Sequence, residues 1–198
     1  MRSALVMADQ SWGGELPAIG VLDAASAART GVTEQAGVVI RRAVPADGPA
    51  LLELFDCYAK LGLVLPRTPE MVYRHIREYV VAVENGRVVG CAGLRIYHPD
   101  LAEVVGVAVA GGRQGRGIGR RVVNAVIDEA RRFGIKRVFA LTLQENFFQQ
   151  LGFRIAKLED VPEKIAADKA EGIDRALCMK TTVIMDLDPV DHAGTGEN

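Results

Sequence analysis

The residues best spaced to do chemistry form one stretch: Val107-Ala108-Val109-Ala110-Gly111-Gly112-Arg113-Gln114-Gly115-Arg116-Gly117-Ile118-Gly119-Arg120-Arg121. An apolar, β-type run stops at a loop rich in glycine and arginine. The loop then enters an amphipathic segment, expected to be helical over 122–133. A strand, a glycine loop and a helix start are the parts that hold a phosphorylated cofactor. Free N–H groups at the helix start, together with its dipole, favour an anion. Glycines allow close backbone approach, and arginines add charge-assisted hydrogen bonds.

The spacing narrows the choice of phosphate loop. A Walker A loop needs Gly-Lys-Ser/Thr, and no lysine lies between Lys60 and Lys136. A dinucleotide loop needs Gly-x-Gly-x-x-Gly after the first strand of a βαβ unit, and Arg120 stands where its last glycine belongs. What remains is Gln114-Gly115-Arg116-Gly117-Ile118-Gly119.

Other residues with chemistry are scattered. Glu103 is a carboxylate in a run otherwise made of Val, Ala and Gly, and Arg67 follows Leu65-Pro66 in a loop. Cys57, Cys91 and Cys178 have no paired spacing, which fits a reducing cytoplasm and neither a disulfide framework nor a zinc site. The three histidines, His75, His98 and His192, are too dispersed for a metal motif, so no metal is expected.

The elements that position these residues are legible in outline. The 198-residue chain is 49% hydrophobic with a formal charge of −1, which reads as one globular domain. That balance argues against nucleic acid as a partner, and no basic amphipathic helix argues for a membrane. No segment reaches the ~18–20 apolar residues of a membrane span. Asp9 and Gln10 interrupt the first apolar residues, so a signal peptide is not expected.

Residues 1–37 read as a weakly ordered extension with a short helix over 24–29, residues 38–188 as the domain, and 189–198 as a flexible tail. Strands are expected over 38–43, 79–84, 87–97, 103–109, 136–142, 154–156 and 179–187. Helices are expected from Pro45 to Gly62, from Pro69 to Ile76, and over 122–133, 146–151 and 162–170. Asn85-Gly86 is a strong hairpin signal. The order is α/β with antiparallel strands first and a βαβ crossover in the middle, which is not how a Rossmann domain opens.

The glycine loop resembles the Gln/Arg-x-x-Gly-x-Gly/Ala signature of the GNAT superfamily of N-acetyltransferases. Leu65-Pro66-Arg67-Thr68, Arg87-Val88-Val89-Gly90-Cys91-Ala92, Asp100-Leu101-Ala102-Glu103, Val138-Phe139-Ala140-Leu141-Thr142 and Phe147-Phe148-Gln149-Gln150-Leu151-Gly152-Phe153 follow in order. Together they are similar to the short-form amino-acid N-acetyltransferases that make N-acetylglutamate. The resemblance covers residues 38–188.

It implies a central mixed, splayed β-sheet flanked by helices, with acetyl-CoA as co-substrate and direct transfer to an amine. Val107, Ala108 and Val109 would line the pantetheine arm, and Gln114, Gly115, Arg116, Gly117, Ile118, Gly119 and Arg120 would cradle the pyrophosphate. Glu103 matches the family's base, against the plainer reading of a solvated strand-end carboxylate. Arg67 would bind the acceptor's carboxylate, with Lys180 and Thr181 nearby on the last strand. For these two a polar edge-strand face is an equal reading. The acceptor is a small amino acid, L-glutamate first, which is the opening step of arginine biosynthesis. A homodimer is expected by analogy.

Two departures stand out. Phe148 occupies the position where many members carry a tyrosine as general acid; the glutamate-acetylating branch also tends to have Phe there, which leaves Thr142 or Gln144 as the acid, or a thiolate that leaves without one. Val105-Gly106 replaces the Arg-Ser or Ala-Cys of relatives. Cys57 and Cys91 read as buried small hydrophobes, His98 as a loop residue near the acceptor, and Phe133, Phe139 and Phe147 as core. Two alternatives stay open: acetylation of another small amine, and a CoA-binding regulatory module without catalysis.

Overall fold

The computed structural model describes residues 37–172 and 180–187. Residues 1–36 of the expected extension, residue 188, the expected tail 189–198 and Cys178 lie outside the described residues. Within them, one seven-stranded sheet runs in the order β1-β2-β3-β4-β5-β7-β6. The strands are β1 Val39–Arg42, β2 Tyr79–Glu84, β3 Arg87–His98, β4 Leu101–Val109, β5 Arg137–Thr142, β6 Arg154–Ala156 and β7 Thr181–Asp186. The helices are α1 Gly48–Lys60, α2 Pro69–Arg74, α3 Ile118–Arg132, α4 Glu145–Gln149 and α5 Pro162–Ala170. All neighbouring strands are antiparallel except β4 and β5, which the α3 crossover joins in parallel.

The two faces of the sheet are covered by different helices. On α3, Val122, Val123, Val126, Ile127 and Ala130 recur at helical spacing, and all are buried against β2, β3 and β4. On the other face, Leu51, Leu54 and Phe55 of α1 pack with Val72 of α2, Tyr79 and Val105. Leu101, Phe139 and Ile184 close a third cluster with Val161, at the start of α5.

Two expectations need correction. The helix after the glycine loop begins at Ile118, four residues early, because Gly117 at φ 75° turns the chain directly into it. Phe133 is not core: it caps the C-terminal end of α3, and the residue is 55% exposed. Phe139 is fully buried, and Phe147 is partly buried against the core.

Candidate active site

The site begins where two strands part. The β4–β5 ladder pairs Leu101 with Arg137, Ala102 with Val138 and Glu103 with Phe139, and then stops. Just beyond, the β3–β4 register shifts between Cys91 and Gly93, and Gly106 takes φ +58°. This β-bulge bends β4 away from its parallel neighbour. A cleft of about 1120 Å³ opens there, lined by Glu103 and by Val105 through Val109.

One end of the cleft is the glycine loop. Gln114, Gly115, Gly117, Ile118, Gly119 and Arg120 all line it, and Arg116 does not. No side chain caps α3 at Gly117, so its first N–H groups remain available to a ligand. The loop arginines have a partner that sequence reading missed. Glu84, at the end of β2, lies 2.5 Å from Arg113 Nε and accepts from Arg116 Nη2 at 2.9 Å. The exposed Arg116 therefore braces the loop from outside.

Tyr58 of α1 is a second missed residue. Its hydroxyl donates to the Val109 carbonyl at 2.9 Å and accepts from the Val109 N–H at 3.1 Å. It also accepts from Gln114 Nε2 at 3.1 Å. One hydroxyl thus satisfies both backbone groups of Val109. Only its helical spacing with the α1 core marks Tyr58 in the sequence.

The other end of the cleft is cationic. The Arg67 guanidinium lies 4.2 Å from the Phe55 ring centre and donates to the Tyr79 hydroxyl. A Cβ at Gly106 would come within 3.1 Å of Arg67 Nη2 and of the Phe55 ring. Gly106 therefore leaves the space that the Arg67 guanidinium and the Phe55 ring occupy. Burial depresses the Arg67 pKa, while the charges of Glu103 and Glu78 oppose that shift. Among the described residues no carboxylate lies within 4 Å of it. Arg95 and His75 also line the cleft, and Glu78 ties both, at 3.2 Å and 2.6 Å.

Glu103 sits between the two ends, 6% exposed. It is not a lone carboxylate. Its Oε2 accepts from the Tyr97 hydroxyl at 2.8 Å and lies 3.1 Å from Lys164 Nζ. Lys164 also donates to Tyr97 at 2.8 Å and lies 3.1 Å from Asp168 Oδ1. Burial, reinforced by the Glu103 charge, pushes the Tyr97 hydroxyl up to about 12. Burial works to lower the Lys164 pKa, but Glu103 and Tyr97 more than offset it, so the ammonium is held. Removing one member of such a buried pair costs about 3–5 kcal/mol.

The remaining candidates divide. Lys180 lines the cleft; Thr181 does not, and its hydroxyl donates to Glu145 of α4. Thr142 and Gln144 line the cleft, and the Thr142 hydroxyl accepts from the Gln144 N–H at 2.8 Å. His98 lies outside it and accepts from the Asp100 N–H instead. Cys91 is fully buried, and burial pushes its thiol to about 12. Cys57 is half-buried, and neither of these cysteines lines the cleft. Among the described residues no cluster of metal-ligating side chains forms. No helix among them is long and apolar enough to cross a membrane.

Comparison with known proteins places this geometry. Residues 50–153 match the model of the acetyltransferase (GNAT) family. An uncharacterized N-acetyltransferase of Chlorobaculum tepidum is 34% identical over 155 residues, which span 77% of this chain and 98% of that protein. The amino-acid acetyltransferase of Mycobacterium tuberculosis is 33% identical over 152 residues, or 75% of this chain and 84% of that one. N-acetylglutamate synthase from Neisseria gonorrhoeae, complexed with coenzyme A and N-acetyl-glutamate, superposes with a TM-score of 0.70 at 29% identity. That match covers 78% of this chain but 36% of the longer protein.

Proposed function

The chain belongs to the acetyltransferase (GNAT) family and is an amino-acid acyltransferase within it; on that premise we propose that acetyl-CoA is its donor and L-glutamate its acceptor, the opening reaction of arginine synthesis. The observation that carries this reading is the parting of β4 from β5 immediately past Glu103. It gathers a strand edge freed from β5, a buried carboxylate and an uncapped helix start into one cleft.

Each part has one task. The first turn of α3, from Gly117 through Ile118 and Gly119 to Arg120, receives the pyrophosphate, with Gln114, Gly115 and Arg116 shaping the loop. The backbone of Val107 and Val109, with Ala108 between them, pairs with the pantetheine arm as an added strand. The Tyr58 hydroxyl must release Val109 for that pairing. Acetyl-CoA supplies the activated acetyl group. The Val107 N–H stabilises the charge that develops on the carbonyl oxygen. Glu103 takes the proton of the acceptor's ammonium through water.

Arg67 binds an acceptor carboxylate through its two-pronged guanidinium. A desolvated cation without a carboxylate partner suits an acidic amino acid better than a neutral amine. Lys180 lines the cleft as a second cation, while Thr181 is held by Glu145. The buried, protonated Cys91 thiol favours direct transfer over an acyl-cysteine route. The scattered cysteines fit a cytoplasmic enzyme.

The test is thiol release from acetyl-CoA across L-glutamate, L-glutamine, L-aspartate and a neutral amine. L-Glutamate should give the highest kcat/KM. Preference for the neutral amine would remove the glutamate assignment, and no thiol release from any acceptor would favour a CoA-binding module.

A further inference from the structure

The family match ends at residue 153, yet the deepest charges around Glu103 come from α5, beyond it. Lys164 and Asp168 lie one turn apart on that helix and both are buried. Lys164 is within reach of three oxygens at once: Glu103 Oε2, the Tyr97 hydroxyl and Asp168 Oδ1. Its ammonium has three N–H donors, so each can find an acceptor. A lysine that serves only packing would be better replaced by a leucine, because burying the ammonium costs free energy. The contacts on Glu103 fall on Oε2; neither reaches Oε1.

We propose that Lys164 and Asp168 are positioning residues for Glu103: together they lock Oε2 against Tyr97, leave Oε1 to take the acceptor's proton, and hold a cation against the carboxylate. The inference rests on Glu103 as the base. In the step it serves, an N–H bond of the acceptor's ammonium breaks as a relaying water takes that proton and passes one of its own to form an O–H bond at Oε1. The nitrogen keeps the electron pair and forms a C–N bond to the thioester carbonyl; the C–S bond then breaks, and coenzyme A leaves as the thiolate, which takes the nitrogen's second proton. Lys164 keeps its protons throughout, and Glu103 returns the proton to water afterwards.

The charged and titratable groups around Glu103 come from several elements. Tyr97 and Arg95 stand on β3, Arg67 on the loop before α2, and Lys164 with Asp168 on α5. Lys164 is the cation in contact with the carboxylate. Asp168 tempers its charge from the far side.

The experiment is the pH profile of kcat/KM for L-glutamate at saturating acetyl-CoA. It is run on wild type, Lys164→Met, Lys164→Arg, Asp168→Asn and Glu103→Gln, with CoA affinity by calorimetry as the check on folding. Without the ammonium the carboxylate protonates more readily, so Lys164→Met should lose activity mainly on the acid side. The ratio of activity at about pH 8.5 to that at about pH 5.5 should rise about tenfold over wild type. Lys164→Arg should restore the ratio to within about threefold, since it keeps the charge. Asp168→Asn should move the ratio the opposite way, because the full charge of Lys164 then falls on Glu103.

A uniform loss at every pH in the Lys164 and Asp168 variants would overturn the inference. If Lys164→Met fails to fold, the direction of change in Asp168→Asn decides alone. Wild-type activity in Glu103→Gln would remove the base itself. An inactive Glu103→Gln beside unshifted profiles in the α5 variants would remove only the positioning role.

Discussion

The two ends of the cleft are built in opposite ways. The loop end is one unbroken stretch from Val107 to Arg120, and it works through backbone groups that glycines leave uncovered. The cationic end, together with Glu103 beside it, gathers side chains from distant parts of the chain: Arg67 before α2, Arg95 and Tyr97 on β3, and Lys164 on α5. A site of contiguous backbone can be tuned only by strain or bulk. A site of converging side chains can be tuned one charge at a time. One fold can therefore keep its donor while its acceptor changes.

Substitutions should separate the ends by size of effect. The largest belongs to Glu103→Gln, which keeps a similar shape and removes the proton acceptor. Turnover should fall about 10²–10⁴-fold, with acetyl-CoA affinity unchanged. Wild-type turnover near neutral pH would strike Glu103 from the chemistry.

Next comes Gly117→Val at the loop end. Gly117 holds φ +75° as the cap of α3, and a Cβ there meets no protein atom within 4 Å. The substitution therefore does not clash inside the protein. It forces a branched residue into the left-handed region, at a cost of roughly 1–2 kcal/mol, and crowds the anion site. Calorimetry should register at least about a tenfold loss of CoA affinity, and an unchanged affinity would take the loop out of the site.

The smallest effect belongs to Arg116→Ala. Its partner Glu84 keeps Arg113, and exposed ion pairs contribute about 0–1 kcal/mol. The KM for acetyl-CoA should rise no more than about fivefold. A loss as large as that of Gly117→Val would mean that arginine side chains, and not backbone N–H groups, hold the phosphates.

The same contrast explains what could be read from the sequence. The strand, glycine loop and helix announce themselves because their meaning is local. So does the hairpin at Asn85-Gly86, where both residues adopt positive φ as a tight turn requires. The succession of elements along the chain is legible in the same way, but the insertion of β7 between β5 and β6 is not. Glu103 is visible as a carboxylate in an apolar strand, but its partner Lys164 stands 61 residues further on, in a segment with only helical spacing to mark it. Tyr58 is hidden because a tyrosine at core spacing reads as core. Arg67 emerges through resemblance, and its seat requires the bulge at Gly106, which no local pattern encodes. Phe133 misleads because the amphipathic period runs one residue beyond the buried face.

The division of the cleft is tested most directly by measuring both Michaelis constants in Arg67→Ala. Only the acceptor brings a carboxylate for the guanidinium, and a lost charge-assisted hydrogen bond is worth about 1.5–3 kcal/mol. The KM for L-glutamate should therefore rise about tenfold to a hundredfold, while that for acetyl-CoA stays within about twofold, and Arg67→Lys should recover only part of the loss. An equal rise in both constants, or none in either, would contradict the account.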